Sequence, residues 1–269
     1  MEFQLAFIGA GNMAEAIARG ILASGIFTAP QMIACDPNAA RRQVFQTQLA
    51  IRAIESTSEA ATLASRILLA VKPQKIDEAL GELQGAIKPH TPVLSIVAAI
   101  TTGFIEGQLI AKAPRLIRIM PNTPMLAGAG ASGLCAGKLA TPEDMALAER
   151  IFGSCGLAVR VEERLMDAVT SLSGSGPAYV FYLAEAMAAA GVRQGLPPDI
   201  AAQLARQTII GAGALLAQST DDVPTLRQKV TSPGGFTQAA VQAFEQGDLE
   251  GLVARAMDSA LQRGKELSR

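Results

Sequence analysis

The chain has no tryptophan, and aromatic residues make up only 4% of its 269 positions. Lys and Arg number 23 against 24 Asp and Glu, a formal net charge of −1. Such a chain offers neither the basic field nor the stacking platforms of a nucleic-acid binder. Cysteine is scarce: Cys35, Cys135 and Cys155 are odd in number, far apart and form no Cys-x-x-Cys. They argue against a disulfide framework or a metal site and read as small apolar core residues in a reducing compartment. The single histidine, His90, lies between Pro89 and Thr91 as an exposed loop residue. No uninterrupted apolar run reaches the 18 or so residues of a membrane span, so no membrane partner is expected. No basic segment precedes an apolar stretch at the start, so no signal peptide is expected and the localisation read from the sequence is cytoplasmic.

What the chain has is apolar mass, 49% hydrophobic against 17% charged, and a change of pattern near residue 162. Before it, apolar runs of strand length at residues 3–8, 32–35, 51–54, 67–71, 93–97, 116–120, 131–135 and 158–161 alternate with helical patterns such as 38–49 and 142–152. Strands apolar throughout and separated by helices predict a parallel sheet covered on both faces. After it no strand is expected, and helical periodicity runs over 179–193, 197–218, 238–245 and 249–267, with Asp248 as N-cap of the last. The expected fold is therefore α/β, a Rossmann-type dinucleotide-binding domain at residues 1–162 followed by an all-helical domain at 163–269. Several of these helices are rich in Ala and Gly on more than one face, which predicts burial against a partner subunit.

The first strand runs into Ile8-Gly9-Ala10-Gly11-Asn12-Met13-Ala14. Gly9 allows a tight turn, Gly11 lets a pyrophosphate approach the backbone, and Ala14 lets the next helix lie against the strand. The amides of the helix beginning near Asn12 then face the phosphates. At the carboxyl ends of later strands lie Ala70-Val71-Lys72-Pro73 and the polar turn Pro121-Asn122-Thr123-Pro124, where an open parallel sheet binds its ligand. Lys72 reads equally as a solvated lysine.

Two loops stand out in the helical half: residues 171–177, opening a helix at Ala178, and residues 230–237, opening one at Gln238. Each reads singly as an ordinary cap; together, beside a dinucleotide domain, they suggest a carboxylate site. Neither His nor Lys occurs within residues 173–187 or 231–244. A carbonyl substrate would lack its proton donor there. A cyclic imine arrives already protonated and needs only a hydride and a hydrogen-bond partner for its nitrogen, for which Thr237 is the candidate.

Together these tracts resemble the pyrroline-5-carboxylate reductases over nearly the whole length. The resemblance is carried by residues 7–13, 70–73, 120–124, Asp167-Ala168-Val169-Thr170, Ser173-Gly174-Ser175-Gly176-Pro177-Ala178-Tyr179 and Ser232-Pro233-Gly234-Gly235. It implies NAD(P)H-dependent reduction of 1-pyrroline-5-carboxylate to L-proline, the last step of proline biosynthesis. It also implies a homodimer interlocked through the helical domain, some relatives forming pentamers of dimers. Carried over by position, Ser232, Gly234, Gly235, Phe236 and Thr237 hold the substrate, and Glu163 lies near it from the partner chain. Val97, Ala98 and Ala99 lie near the nicotinamide, joining Ile8 to Met13, Asp36, residues 70–73, Pro121 and Asn122 as cofactor residues. The chain departs from the family pattern at Val97-Ala98-Ala99, where Ala-Ala-Gly is usual, and at Phe236, where a small residue is. Asp36 is placed to bond a ribose 2′-OH and favours NADH, whereas Arg41 and Arg42 could meet a 2′-phosphate; the expectation is NADPH with NADH tolerated. The alternatives are a related imine or hydroxyacid reductase and a catalytically silent nucleotide sensor.

Overall fold

The computed structural model describes residues 2–269. Its polypeptide divides into two compact units, one comprising the chain up to Gly174 together with Leu261–Arg269, the other Ser175–Ala260.

The first unit is built on one eight-stranded sheet: β1 Leu5–Ile8, β2 Met32–Cys35, β3 Arg52–Ile54, β4 Ile67–Leu69, β5 Pro92–Ser95, β6 Arg115–Met120, β7 Gly130–Ala136 and β8 Gly156–Arg160, in the order β3-β2-β1-β4-β5-β6-β7-β8. The first six run parallel, so the strand order reverses between β1 and β4. Successive residues of a strand face opposite sides. Phe7 and Leu68 therefore join one buried layer with Phe45 and Phe152, while Ile8, Ile67 and Leu69 join the other with Ile76 and Leu80. Both layers are covered by helices: α1 Asn12–Ser24, α2 Ala39–Gln48, α3 Thr57–Leu63, α4 Ile76–Ala86, α5 Thr102–Gln108 and α6 Pro142–Gly153. Asn38, Ser56 and Thr141 cap α2, α3 and α6 with their side chains.

One strand departs from the expected parallel sheet. β7 pairs antiparallel to β6, with Arg118 opposite Cys135. Between them lies only a short 3-10 turn, Thr123–Ala127, too little chain for the crossover that a parallel return requires. β8 then returns parallel to β7 by way of α6.

A short helix α7, Met166–Val169, runs into a π-helical turn, Thr170–Gly174. The tract expected to be a loop up to Ala178 is thus wound: the Ser173 hydroxyl donates to the Val169 carbonyl, and the next helix starts at Gly176. The second unit holds α8 Gly176–Arg193, α9 Pro198–Gln218, α10 Val223–Lys229, α11 Phe236–Gln246 and most of α12 Leu249–Leu267. Helix α10, absent from the sequence expectation, is capped by Asp222, whose carboxylate accepts from the Thr225 amide. Asp248 caps α12 as expected, accepting from the Gly251 amide. By length and composition α9 is long and apolar enough to cross a membrane, although Gln203, Arg206 and Gln207 interrupt its apolar residues.

Candidate active site

The glycine turn after β1 is held by the end of β2. Gly9 sits at φ +96°, and a Cβ there would lie 2.7 Å from the Ala70 carbonyl oxygen, so only glycine fits between β1 and β4. Around Gly11 the opposite holds: nothing lies within 4 Å of where a Cβ would stand. Gly11 is the N-cap of α1 and uses no side chain to do so, leaving the first amides of α1 to an anion. The turn and the strand ends enclose a cleft of about 270 Å³ that gathers Ile8, Gly9, Gly11, Asp36, Ala70, Val71 and Lys72 from the expected cofactor residues. Ala10, Asn12 and Met13 belong to the same turn and first helical residues, and Pro73 opens the 3-10 turn that follows Lys72. The sequence reading missed Pro37, Thr57, Lys75, Glu78 and Glu82 on the cleft wall. Glu78 and Glu82 stand one turn apart on α4, the helix that follows Pro73, a spacing that was there to be read.

Asp36 and the arginines do something the sequence does not announce. The Asp36 carboxylate accepts from the Ala10 and Asn38 amides, at 2.9 and 2.8 Å. Arg41 donates to the Ala10 carbonyl and to Glu15, and Arg42 to the carbonyls of Asp36 and Pro37. Asp36 and Arg41 stiffen the glycine turn, and Arg42 holds the chain that leaves β2 beside it. At Glu15 burial raises the carboxyl pKa, but the hydrogen bonds from Arg19 and Arg41 outweigh it and hold the group below the ordinary range.

Beyond β5 and β6 lies a second set of expected residues. Val97 is buried, and Ala98 and Ala99 are half-buried, Ala99 in the left-handed region at φ +60°. Pro121 is buried, and the Asn122 side chain spans Ser173 O and Ala131 N, so it secures β7 and the π turn. Glu163 accepts from the amide and hydroxyl of Thr102, the first residue of α5, and from Arg118 at 2.9 Å. Arg118 is 5% exposed on β6, with Asp167 3.9 Å away. Burial works to raise the Glu163 carboxyl pKa, and the donors from Thr102 and Arg118 overcome it. Burial first, then Glu163, push the Cys135 thiol up to about 11.

In the helical unit the expected substrate loop ends where α11 begins, at Phe236 rather than Gln238. Gly235 caps the helix without a side chain, and Gly234, at φ +70°, donates its amide to Gln238 Oε1. A helix start leaves the amides of Phe236, Thr237 and Gln238 without acceptors inside the helix. Ser232 and Thr237 are exposed, and Phe236 is 98% exposed, so its side chain contributes nothing to the fold of its own chain.

The family description "Pyrroline-5-carboxylate reductase dimerisation" matches residues 163–267, and "NADP oxidoreductase coenzyme F420-dependent" matches residues 4–99. A pyrroline-5-carboxylate reductase of Synechocystis sp. is 39% identical over 269 residues, covering 100% of both chains. That of Pseudomonas aeruginosa is 40% identical over 266 residues, 98% of this chain and 97% of its own. The chain belongs to the pyrroline-5-carboxylate reductase family. Among solved structures, a pyrroline-5-carboxylate reductase from Coxiella burnetii superposes with a TM-score of 0.92 at 35% identity, covering 100% of both chains. A Plasmodium falciparum pyrroline carboxylate reductase with NADP bound gives 0.83 at 28%, again over 100% of both.

As a member of this family the chain is an oxidoreductase with an N-terminal dinucleotide-binding domain and a helical dimerisation domain. The cleft meets the demands of such a cofactor: a turn only glycine can make, open space at Gly11, and free helix amides. Its residues also present no group of three or more His, Cys, Asp or Glu that could hold a metal, among those described. Arg118 and Thr102, which anchor Glu163, carry no motif; only the sheet register and the packing of α5 bring them together.

Proposed function

We propose that this reductase transfers a hydride from NADPH, with NADH tolerated, to the protonated imine of 1-pyrroline-5-carboxylate, giving L-proline and the oxidised cofactor. The reading is carried by the presence in one chain of a phosphate-binding turn at residues 9–11 and a helix start at residues 235–237 that has no side-chain cap. Bound nicotinamide supplies the hydride. The chain's own groups bind, orient and hold. The amides of Phe236 and Thr237 hold the substrate carboxylate, assisted by the positive end of α11, while those of Gly234 and Gly235 are spent on Gln238 Oε1 and the Ser232 carbonyl. The Thr237 hydroxyl oxygen accepts from the iminium N–H and fixes which face of the ring is presented. Because the iminium carries its proton on arrival, no general acid is required, in keeping with the lack of His and Lys in the two loops. Hydride addition to the imine carbon leaves the pair of electrons on nitrogen as a secondary amine. Orientation supplies most of the acceleration.

Lys72, Val97, Ala98 and Ala99 flank the nicotinamide side, and Pro121 and Asn122 shape its floor. Preference for NADPH is supported by the NADP description matching residues 4–99. Glu163 acts near the substrate from a second copy. A division at residues 162 and 163 follows the start of the dimerisation match, whereas the compact units part between Gly174 and Ser175 and the last nine residues belong with the first. The protein works as a homodimer, with a pentamer of dimers as the further assembly, in the cytoplasm and away from membranes and nucleic acid. Three free, buried cysteines suit a reducing compartment, and α9 is explained as an interface helix.

The test follows near-ultraviolet absorbance of NADPH and NADH in parallel on addition of pyrroline-5-carboxylate to purified protein. Rapid loss, faster with NADPH, is expected. No loss with either, while the cofactor still binds, overturns the reading in favour of another imine reductase or a nucleotide sensor.

A further inference from the structure

The segment between β5 and α5, residues 96–101, leaves the carboxyl end of a strand on the β4 side of the reversal in strand order, where the crevice of a doubly wound sheet receives its ligand. It carries no large polar side chain, so it can act only through its backbone shape. That shape is costly, since Ala99 has a Cβ and sits at φ +60°. A strained residue persists only if its surroundings overdetermine it.

Arg269 is what surrounds it. Its amide donates to the Ala99 carbonyl at 2.9 Å, and its own carbonyl accepts from the Thr101 amide at 2.8 Å and the Thr101 hydroxyl at 2.7 Å. A change of the Ala99–Ile100 peptide away from the left-handed shape breaks bonds on both flanks at once. The Arg269 guanidinium is fixed in turn by two bonds of 3.0 Å to the Asp77 carboxylate on α4, and it stacks 4.6 Å over the Phe104 ring on α5. The far side of the segment is pinned independently by Glu163 on Thr102.

We infer that Arg269 is a positioning residue for hydride transfer: bonded to Ala99 and Thr101 and anchored on Asp77 and Phe104, it splints residues 96–101 in the strained shape that supports the nicotinamide. This rests on the reductase reading. It also explains how a chain with alanine at residue 99 keeps a conformation natural to glycine: the bonds that glycine would not need are supplied by another part of the same unit.

The experiment compares wild type, a chain lacking Ser268 and Arg269, Asp77→Asn, and the charge-exchanged pair Asp77→Arg with Arg269→Asp. Each is measured for kcat and KM, for the primary isotope effect with 4-deuterated NADPH, and for the fluorescence anisotropy of bound NADPH. Removal of Ser268 and Arg269 is expected to lower kcat about tenfold, leave the KM for pyrroline-5-carboxylate within about twofold, enlarge the isotope effect and lower the anisotropy. Asp77→Asn falls between the deletion and wild type, and the exchanged pair recovers most of what Asp77→Asn loses. Unchanged kcat, isotope effect and anisotropy in the deletion overturn the inference. So does a lowered thermal midpoint with those readouts unchanged, which identifies a plain structural stitch. A wild type that binds NADPH but leaves the imine untouched overturns the reductase reading instead.

Discussion

In the sheet-bearing unit Phe7, Ile17, Ile33, Leu68 and Ile117 are fully enclosed, whereas in Ser175–Ala260 only Ala201 and Ala205 are buried. The helical unit is no less apolar. Phe181, Tyr182, Leu204, Ile210, Leu215 and Leu216 are each about half or more exposed. The sheet unit covers its central strands with its own helices, because those strands have two apolar faces and the crossovers supply a layer for each; the edge strands β3 and β8 are left partly open. The helices of the second unit are apolar on faces that their own chain leaves open. A surface of that extent marks an interface, in agreement with the dimerisation match across residues 163–267. One unit therefore owns its stability, and the other shares it.

That contrast can be broken most decisively in the helical unit. Leu204→Asp, a position 54% exposed in the single chain, is expected to abolish assembly and with it activity, read by light scattering and NADPH oxidation. A dimer with normal turnover would mean that this face is not shared. The same style of damage in the sheet gives a different signature. Ile117→Ala, at a fully buried position on β6, should cost about 2–5 kcal/mol in denaturant unfolding and leave the quaternary state of the remaining folded protein intact.

Smaller changes sharpen the comparison at the chemical level. Thr237→Ala touches an exposed residue, so the melting temperature should stay put while kcat/KM falls roughly ten- to a hundredfold, on the order of 1–3 kcal/mol of transition-state stabilisation. Full activity in that variant removes Thr237 from the mechanism. Glu163→Gln should cost least, about 1–2 kcal/mol at neutral pH, since its side chain is 32% exposed and partly screened. Its folded pKa lies below the unfolded one. The stability it contributes is thus complete above the ordinary carboxylate range and disappears as pH falls through the folded value. Thermal midpoints taken on acidification should fall less steeply in Glu163→Gln than in wild type; parallel curves would show that the Thr102 and Arg118 bonds do not depend on the charge.

Much of the architecture was legible beforehand, and the misses have local causes. All eight strands were visible as apolar runs; in the central strands burial on both faces leaves little polar interruption, whereas β8 is apolar although mostly exposed. The turn at Gly9-Ala10-Gly11 was visible because Gly9 does a job that no other residue can and Gly11 stands at the spacing of a phosphate-binding turn. The direction of β7 was not read, since a strand's residues look the same in either direction; the shortness of the connection from Met120 to Gly130 held the signal. The π turn at Thr170–Gly174 was hidden by serines and glycines that suit a loop equally well. Helix α10 is short, and its cap at Asp222 passed for ordinary polar chain. Asp36, Arg41 and Arg42 were read as competing cofactor contacts, and the structure has all three bonded to the phosphate turn or the chain beside it.

By itself the sequence determined what local chemistry and periodicity can specify: a dinucleotide domain before a helical one, a phosphate turn, an anion-ready helix start, and loops without a general acid. Only the tertiary structure decided the strand direction at β7, the buried Arg118 beneath Glu163 and Thr102, and the hold of Arg269 on Ala99 across 170 positions of chain. These are agreements between distant segments, fixed by sheet register and by which buried polar groups find partners. No window of sequence contains both halves of such a bond.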